Sequence, residues 1–273
     1  MKKFYIFLVV FMFFVVPVSA KIDRTSAEYL KNKRHFSIMN PAVERVAQRV
    51  IRSLIKDESG HNFKVKLQGY TFSSMKKGIF KYLEIVGEDF FVEDIPISYA
   101  EVKTLTDYNW IDYKQEPPVC KTDMVFSYQV KLSEESINIA LQKKEYDKVL
   151  EDLNKRAYPL FTMNDVKVRI KNNKLYLVMF YNFPISPMAK DRSFSVSTGF
   201  KVFNNKIIAD NIMLNPAYRS LQSDKIANLV NRLDPLSFTL SIMNTKKCNA
   251  KVENVKIIDD LVEVNGKIYV KGD

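Results

Sequence analysis

Cysteine, histidine and glycine are scarce in this chain of 273 residues, which has two Cys, two His and seven Gly. Two Cys cannot build a disulfide-rich scaffold or the common four-Cys zinc site. His35 and His61 leave little room for imidazole-based metal chemistry. Seven scattered glycines cannot line a phosphate-cradling loop, and no Gly-x-Gly-x-x-Gly, Walker, His-Glu-x-x-His or Gly-x-Ser-x-Gly run occurs. No apolar run reaches the roughly 20 residues that span a bilayer as a helix. The longest, Phe4 to Val16, has 13. Acid is also outnumbered, with 31 Asp+Glu against 42 Lys+Arg for a net charge of +11. Hydrophobic residues at 47% and charged residues at 27% exclude disorder as the main state and fit one globular unit, or at most two.

The short apolar run has a context. Met1-Lys2-Lys3 precedes it, Pro17 follows it, and Val18-Ser19-Ala20 places small residues at a cleavage point. Residues 1–20 are therefore expected to be a secretory signal peptide, with a retained anchor as the alternative. An exported chain meets anionic lipid headgroups or acidic envelope polymers rather than nucleic acid, and the periplasm is the expected compartment. Residues 21–40 are polar and basic and read as a lead-in to one domain over 41–273. Cys120 and Cys248, in an oxidising compartment, are expected to form a disulfide, with two free thiols as the alternative.

Asn40-Pro41 opens the clearest helical pattern. Val43, Val46, Ala47, Val50, Ile51, Leu54 and Ile55 recur at the spacing of one helix face over Pro41 to Asp57. Arg45, Arg49, Arg52 and Lys56 fall on the opposite face, where they can dock on an anionic membrane surface or simply face water. Strands are expected at Phe63–Leu67, Ile79–Val86, Ile95–Leu105, Met124–Leu132, Val166–Ile170, Leu175–Tyr181, Phe194–Phe203, Lys206–Leu214, Ala250–Ile258 and Leu261–Val270. Asn172-Asn173, Asn204-Asn205 and Asp259-Asp260 mark hairpin turns. A second helix starts at Ser133 and breaks near Lys144. A third runs from Ser223 to Leu233, carries Ile226, Leu229, Val230 and Leu233 on one side, and is expected to stop at Pro235. The fold class is α+β with antiparallel strands, not a doubly wound parallel sheet.

No constellation points to catalysis or to a cofactor. The acidic pairs Glu88-Asp89 and Glu93-Asp94 read as solvated charges. Aromatics are the one excess, with 19 Phe and 14 Tyr, many of them in strands: Phe80, Tyr82, Phe126, Tyr128, Tyr176, Phe180, Tyr181, Phe194, Phe200 and Phe203. Each suits a packed core; together they also suit the wall of an apolar tunnel.

Lys64-Val65-Lys66-Leu67 through Met75-Lys76-Lys77-Gly78-Ile79-Phe80-Lys81-Tyr82-Leu83-Glu84-Ile85 resembles the opening of the LmeA-like phospholipid-binding family. Leu132-Ser133-Glu134-Glu135-Ser136-Ile137-Asn138 is similar to that family's midpoint helix start. Asn228 to Phe238 and the closing hairpin with Gly266 are similar to its C-terminal portion. The resemblance implies a tubular, TULIP-type fold in which long amphipathic helices pack in a strongly curved antiparallel sheet with phospholipid between them. It supplies no catalytic motif and no matched polar ligand residues. On amphipathicity alone, Val43, Val46, Ala47, Val50, Ile51, Leu54, Leu229, Val230 and Leu233 are the expected lipid-contacting residues. The competing expectation is a non-catalytic structural or adaptor protein of the envelope with a filled core.

Overall fold

The computed structural model describes residues 45, 49, 63–92, 94–115, 119–157, 162–183, 192–214, 223–243 and 249–272. Most of them form antiparallel sheet, with five short helices between the strands. Strands β1 (Lys64–Gly69), β2 (Ile79–Val92), β3 (Ile95–Thr104), β4 (Asn109–Asp112), β5 (Val119–Cys120), β6 (Met124–Leu132), β11 (Asn249–Ile258) and β12 (Leu261–Val270) make one eight-stranded sheet. Its order is β11-β12-β6-β3-β2-β4-β5, with β1 also on β2. Strands β7 (Thr162–Lys171), β8 (Lys174–Asn182), β9 (Arg192–Phe203) and β10 (Lys206–Leu214) form a separate meander of four. The helices are α1 (Phe72–Lys76), α2 (Glu134–Leu141), α3 (Lys144–Ala157), α4 (Ser223–Leu233) and α5 (Pro235–Met243).

Both sheets follow from period-two patterning. In β12, Val262, Val264, Ile268 and Val270 are buried while Glu263, Asn265 and Lys267 between them are half-buried. In β7, Met163, Val166, Val168 and Ile170 are buried while Lys167, Arg169 and Lys171 are exposed. β2 also buries one face, through Leu83, Ile85, Phe90 and Val92. The inner faces of both sheets and the helices join in one continuous core. Gly266 stands directly across from Tyr128, and a side-chain carbon there would lie 2.7 Å from the Tyr128 ring. The missing side chain is what lets the ring lie over that strand.

All three expected turns form between consecutive strands. Asn172/Asn173, Asn204/Asn205 and Asp259/Asp260 have φ of 53°/55°, 51°/60° and 52°/56°. These are the left-handed values that a two-residue turn needs to match the twist of its strands, and Asn and Asp tolerate them best. Two of the turn tips also clasp each other. The Asn173 amide donates to Asp260 Oδ1 at 3.1 Å, and the Asp260 amide donates to Asn173 Oδ1 at 3.3 Å. That pair ties the β7–β8 hairpin to the β11–β12 hairpin of the other sheet.

Helix side chains close the edges of the four-stranded sheet. On β7, Asn138 of α2 accepts from the Val168 amide and donates to its carbonyl, each at 2.8 Å. Asn154 of α3 does the same for Met163 at 2.7 and 2.9 Å, and Glu134 Oε2 accepts from the Ile170 amide at 2.8 Å. On β10, Asn231 of α4 accepts from the Ala209 amide at 2.7 Å. Open strand edges invite pairing with other chains, so these contacts both fix the helices and blunt the edge. Asn138→Ala removes two hydrogen bonds to half-buried backbone. It is expected to lower stability by about 1–3 kcal/mol in urea unfolding, while the exposed control Gln142→Ala changes it little.

One expectation is corrected and another is not confirmed among the described residues. Pro235 does not end the helical region but begins α5. The Asp234 backbone turns to φ 35°, and its carboxylate accepts from the Ser237 amide at 3.3 Å. Asp followed by Pro is a cap and first-turn pair, so the same residues that stop α4 start α5. The long helices and strongly curved sheet are also not met among the described residues. There the sheets are not strongly curled, and the helices run from 5 to 14 residues. The helices are short because α2 and α3 are divided at Gln142-Lys143 and α4 and α5 at Asp234, each turn making its own capping hydrogen bonds. α1, β4, β5 and α5 are elements the sequence pattern does not show. The first three are too short to carry a period.

Candidate functional site

The residues expected to form the site are only partly placed. Val43, Val46, Ala47, Val50, Ile51, Leu54, Arg52, Lys56 and Cys248 lie outside the described residues, as do residues 1–40. Arg45 and Arg49 are helical and exposed, one turn apart on the same face. Val230 and Leu233 are each 1% exposed in α4, enclosed by protein, and Leu229 is half-buried against the same core. Cys120 is buried in β5. Glu88 meets Lys64 at 3.0 Å and Asp94 meets Lys143 at 3.6 Å, so both acids belong to ion pairs.

The strand aromatics do not share one wall. Phe80 and Phe126 are in the core, Tyr181, Phe194 and Phe200 are half-buried against it, and Tyr82, Tyr176 and Phe180 lie on the outer faces of their sheets. On the outer face of the eight-stranded sheet, Tyr82 donates to Glu84 Oε2 at 3.0 Å and has Lys66 Nζ 5.7 Å from its ring centre. Burial, together with the Glu84 carboxylate, pushes its phenol up to about 12.

One group of aromatics stands out at the end of the four-stranded sheet away from the clasped turns. Tyr181 stands across from Met163 on β7 and from Arg192 on β9, and Phe194 stands across from Met179. The Tyr181 ring meets Phe194 edge-on at 5.7 Å and Phe183 edge-on at 5.4 Å. The exposed Arg192 guanidinium lies 5.1 Å from the Phe183 ring centre. Inward of this rim, Met163, Met179 and Val196 are at most 2% exposed. Next along the chain, on the opposite side of the strand from Tyr181, the Asn182 side-chain oxygen is buried without a hydrogen-bond partner among the described residues. Such an acceptor costs about 1–3 kcal/mol until a donor reaches it.

This arrangement can hold an amphiphile. The aromatic edges offer apolar contact, and Arg192 offers five donors and a fixed positive charge suited to a phosphate. Tyr181 and Phe194 were legible as strand aromatics, whereas Arg192 and Phe183 carry no sequence signal, since only the hairpin register brings them to the same rim. No family model, curated protein or solved structure matches the chain.

Proposed function

We propose that the protein is an exported, periplasmic lipid-binding protein that holds phospholipid acyl chains against an apolar surface, serving lipid transfer or envelope maintenance. The observation that carries this reading is the rim of Tyr181, Phe183 and Phe194 under the Arg192 guanidinium. It puts an apolar surface and a phosphate-matching cation within one ligand's length. The resemblance to the LmeA-like family supports the reading, as does the signal-like pattern of residues 1–20. The resemblance also implies a tubular arrangement around the lipid, and the exposed Arg45 and Arg49, one turn apart on one helix face, suit anionic headgroups. The reading is one of binding, without catalysis or cofactor.

Arg192→Glu, which reverses the charge at the rim, is expected to lower phospholipid retention roughly tenfold. Phe194→Asp should abolish retention, because chain contact there would bury a carboxylate. Lipid extraction from purified wild type and variants, with thermal melts to confirm folding, tests this. Unchanged retention in both folded variants would remove the rim from the site.

The second reading is the structural or adaptor protein with a filled core. It is favoured by Val230 and Leu233 at 1% exposure beside Leu236 at 0%, a protein-filled interior where a ligand wall was expected.

A further inference from the structure

The outer faces of the two sheets follow the same alternation. On the eight-stranded sheet Lys66, Lys103, Lys131 and Lys267 are matched by acids within the sheet, while Lys81, Lys251 and Lys256 form no ion pair among the described residues. Lys66–Glu84 lie at 3.9 Å, Lys103–Glu101 at 2.9 Å, Lys131–Glu263 at 3.7 Å and Lys267–Glu253 at 2.7 Å. On the four-stranded sheet, Lys167 meets Asp165 at 3.8 Å and Lys201 meets Asp210 at 2.9 Å. Arg169, Lys171 and Lys174 are exposed there and form no ion pair among the described residues. Asp260, beyond the turn, is engaged with Asn173.

Apolar side chains share this face. Arg169 stands across from Tyr176, Tyr176 from Ser197 and Ser197 from Met213, one row running across all four strands. Met213 is 52% exposed and Phe203, at the β9–β10 turn, is 61% exposed. The other sides of the sheet are accounted for. Its inner face is in the core, and its edges are closed by Asn138 and Asn154 on β7 and by Asn231 on β10.

We infer that the outer face of the β7–β10 sheet docks on an anionic phospholipid bilayer. Unpaired cations in rows, interleaved with exposed aromatic and thioether side chains, match a surface of negative headgroups over an apolar layer. The choice of a bilayer as occupant rests on the lipid-binding reading above. The placement of the surface does not.

The test is sedimentation of the full mature chain with vesicles of phosphatidylcholine alone and of equal phosphatidylcholine and phosphatidylglycerol. Wild type should bind the anionic vesicles, and less so at high salt. Arg169→Glu combined with Lys171→Glu should weaken that binding at least about tenfold. Lys148→Glu combined with Arg156→Glu makes the same charge change on exposed positions of α3 and should weaken it far less. Equal losses in the two double variants would show attraction by net charge alone and overturn the inference. So would failure of wild type to prefer anionic vesicles, or capture of single-stranded RNA without vesicle binding. Native mass spectrometry on the same samples separates the two ideas. A variant that keeps its lipid but loses the vesicles supports the docking face. Vesicle binding unchanged in the Arg169/Lys171 variant sinks the face and leaves the lipid reading intact.

Discussion

Tyr146→Ala is expected to cost about 3–5 kcal/mol of folding stability, the range for deleting a large enclosed aromatic. Tyr146 in α3 is 1% exposed, and its hydroxyl donates to the Leu233 carbonyl at the end of α4 at 3.0 Å. Its ring meets Phe238 of α5 edge-on at 4.8 Å. One side chain thus joins three helices, and its removal leaves both a cavity and an unmet carbonyl. Tyr146→Phe keeps the volume and loses only the hydrogen bond, so it should cost about 1 kcal/mol. Urea unfolding of both variants decides the matter. Equal costs would mean that packing around the ring is not the main term. Burial, helped by the Asp234 charge, also holds the Tyr146 phenol above its ordinary range, and burial pushes the Tyr128 phenol up to about 12. The fold therefore prefers neutral tyrosine. At pH below 10 both states are neutral and nothing is lost. Between pH 10 and 12 the unfolded chain ionises first, and stability should fall.

Gly78→Ala carries the next largest effect, about 2–5 kcal/mol. Gly78 sits at φ 83°, which costs an ordinary residue about 1–2 kcal/mol. A side-chain carbon there would lie 1.8 Å from the Ile111 carbonyl oxygen, and relieving that clash adds about 1–3 kcal/mol. The neighbouring contacts are specific. The Ile111 amide donates to the Gly78 carbonyl at 3.0 Å, and Trp110 Nε1 donates to the Lys77 carbonyl at 3.0 Å. Trp110 is the chain's one tryptophan, so its fluorescence reports the damage directly. Gly199→Ala is the control, because its added carbon meets only the Asp210 carbonyl oxygen at an ordinary 3.5 Å. Similar losses at the two glycines would contradict the strain at Gly78.

Much of this architecture is legible in the sequence where a period is long enough to read. The alternation from Met124 to Leu132 and the repeat from Ser223 to Leu233 match β6 and α4 end to end. The Asn and Asp pairs mark the turns because few other residues accept two successive positive φ values. Ser133 marks the start of α2, and its hydroxyl accepts from the Ser136 amide at 3.1 Å in a capping box. What escaped was long-range or short-element. The edge contacts of Asn138, Asn154 and Asn231 join parts of the chain that no local pattern connects. Asp234-Pro235 can be read as a stop or a start, and only packing of Leu236 and Thr239 into the core decides for the start. At the rim, Arg192 meets Phe183 because β8 pairs with β9, so composition shows the aromatics but not the cation among them.

Both sheets pair some of their lysines with acids, and on the smaller one Arg169, Lys171 and Lys174 are exposed with no ion pair among the described residues. The aromatic rim lies at one end of that same sheet. A lipid held there would lie beside the proposed docking surface, which is the placement a protein that exchanges lipid with a bilayer requires.

Native mass spectrometry of the wild-type mature protein, purified from a phospholipid-containing host without detergent, tests the lipid-binding reading most directly. The expected result is a population heavier by one phospholipid, whose fatty acids appear on solvent extraction and which falls away in Arg192→Glu. A protein that carries no lipid as isolated and takes none up from vesicles would contradict the reading and leave the adaptor with a filled core in its place.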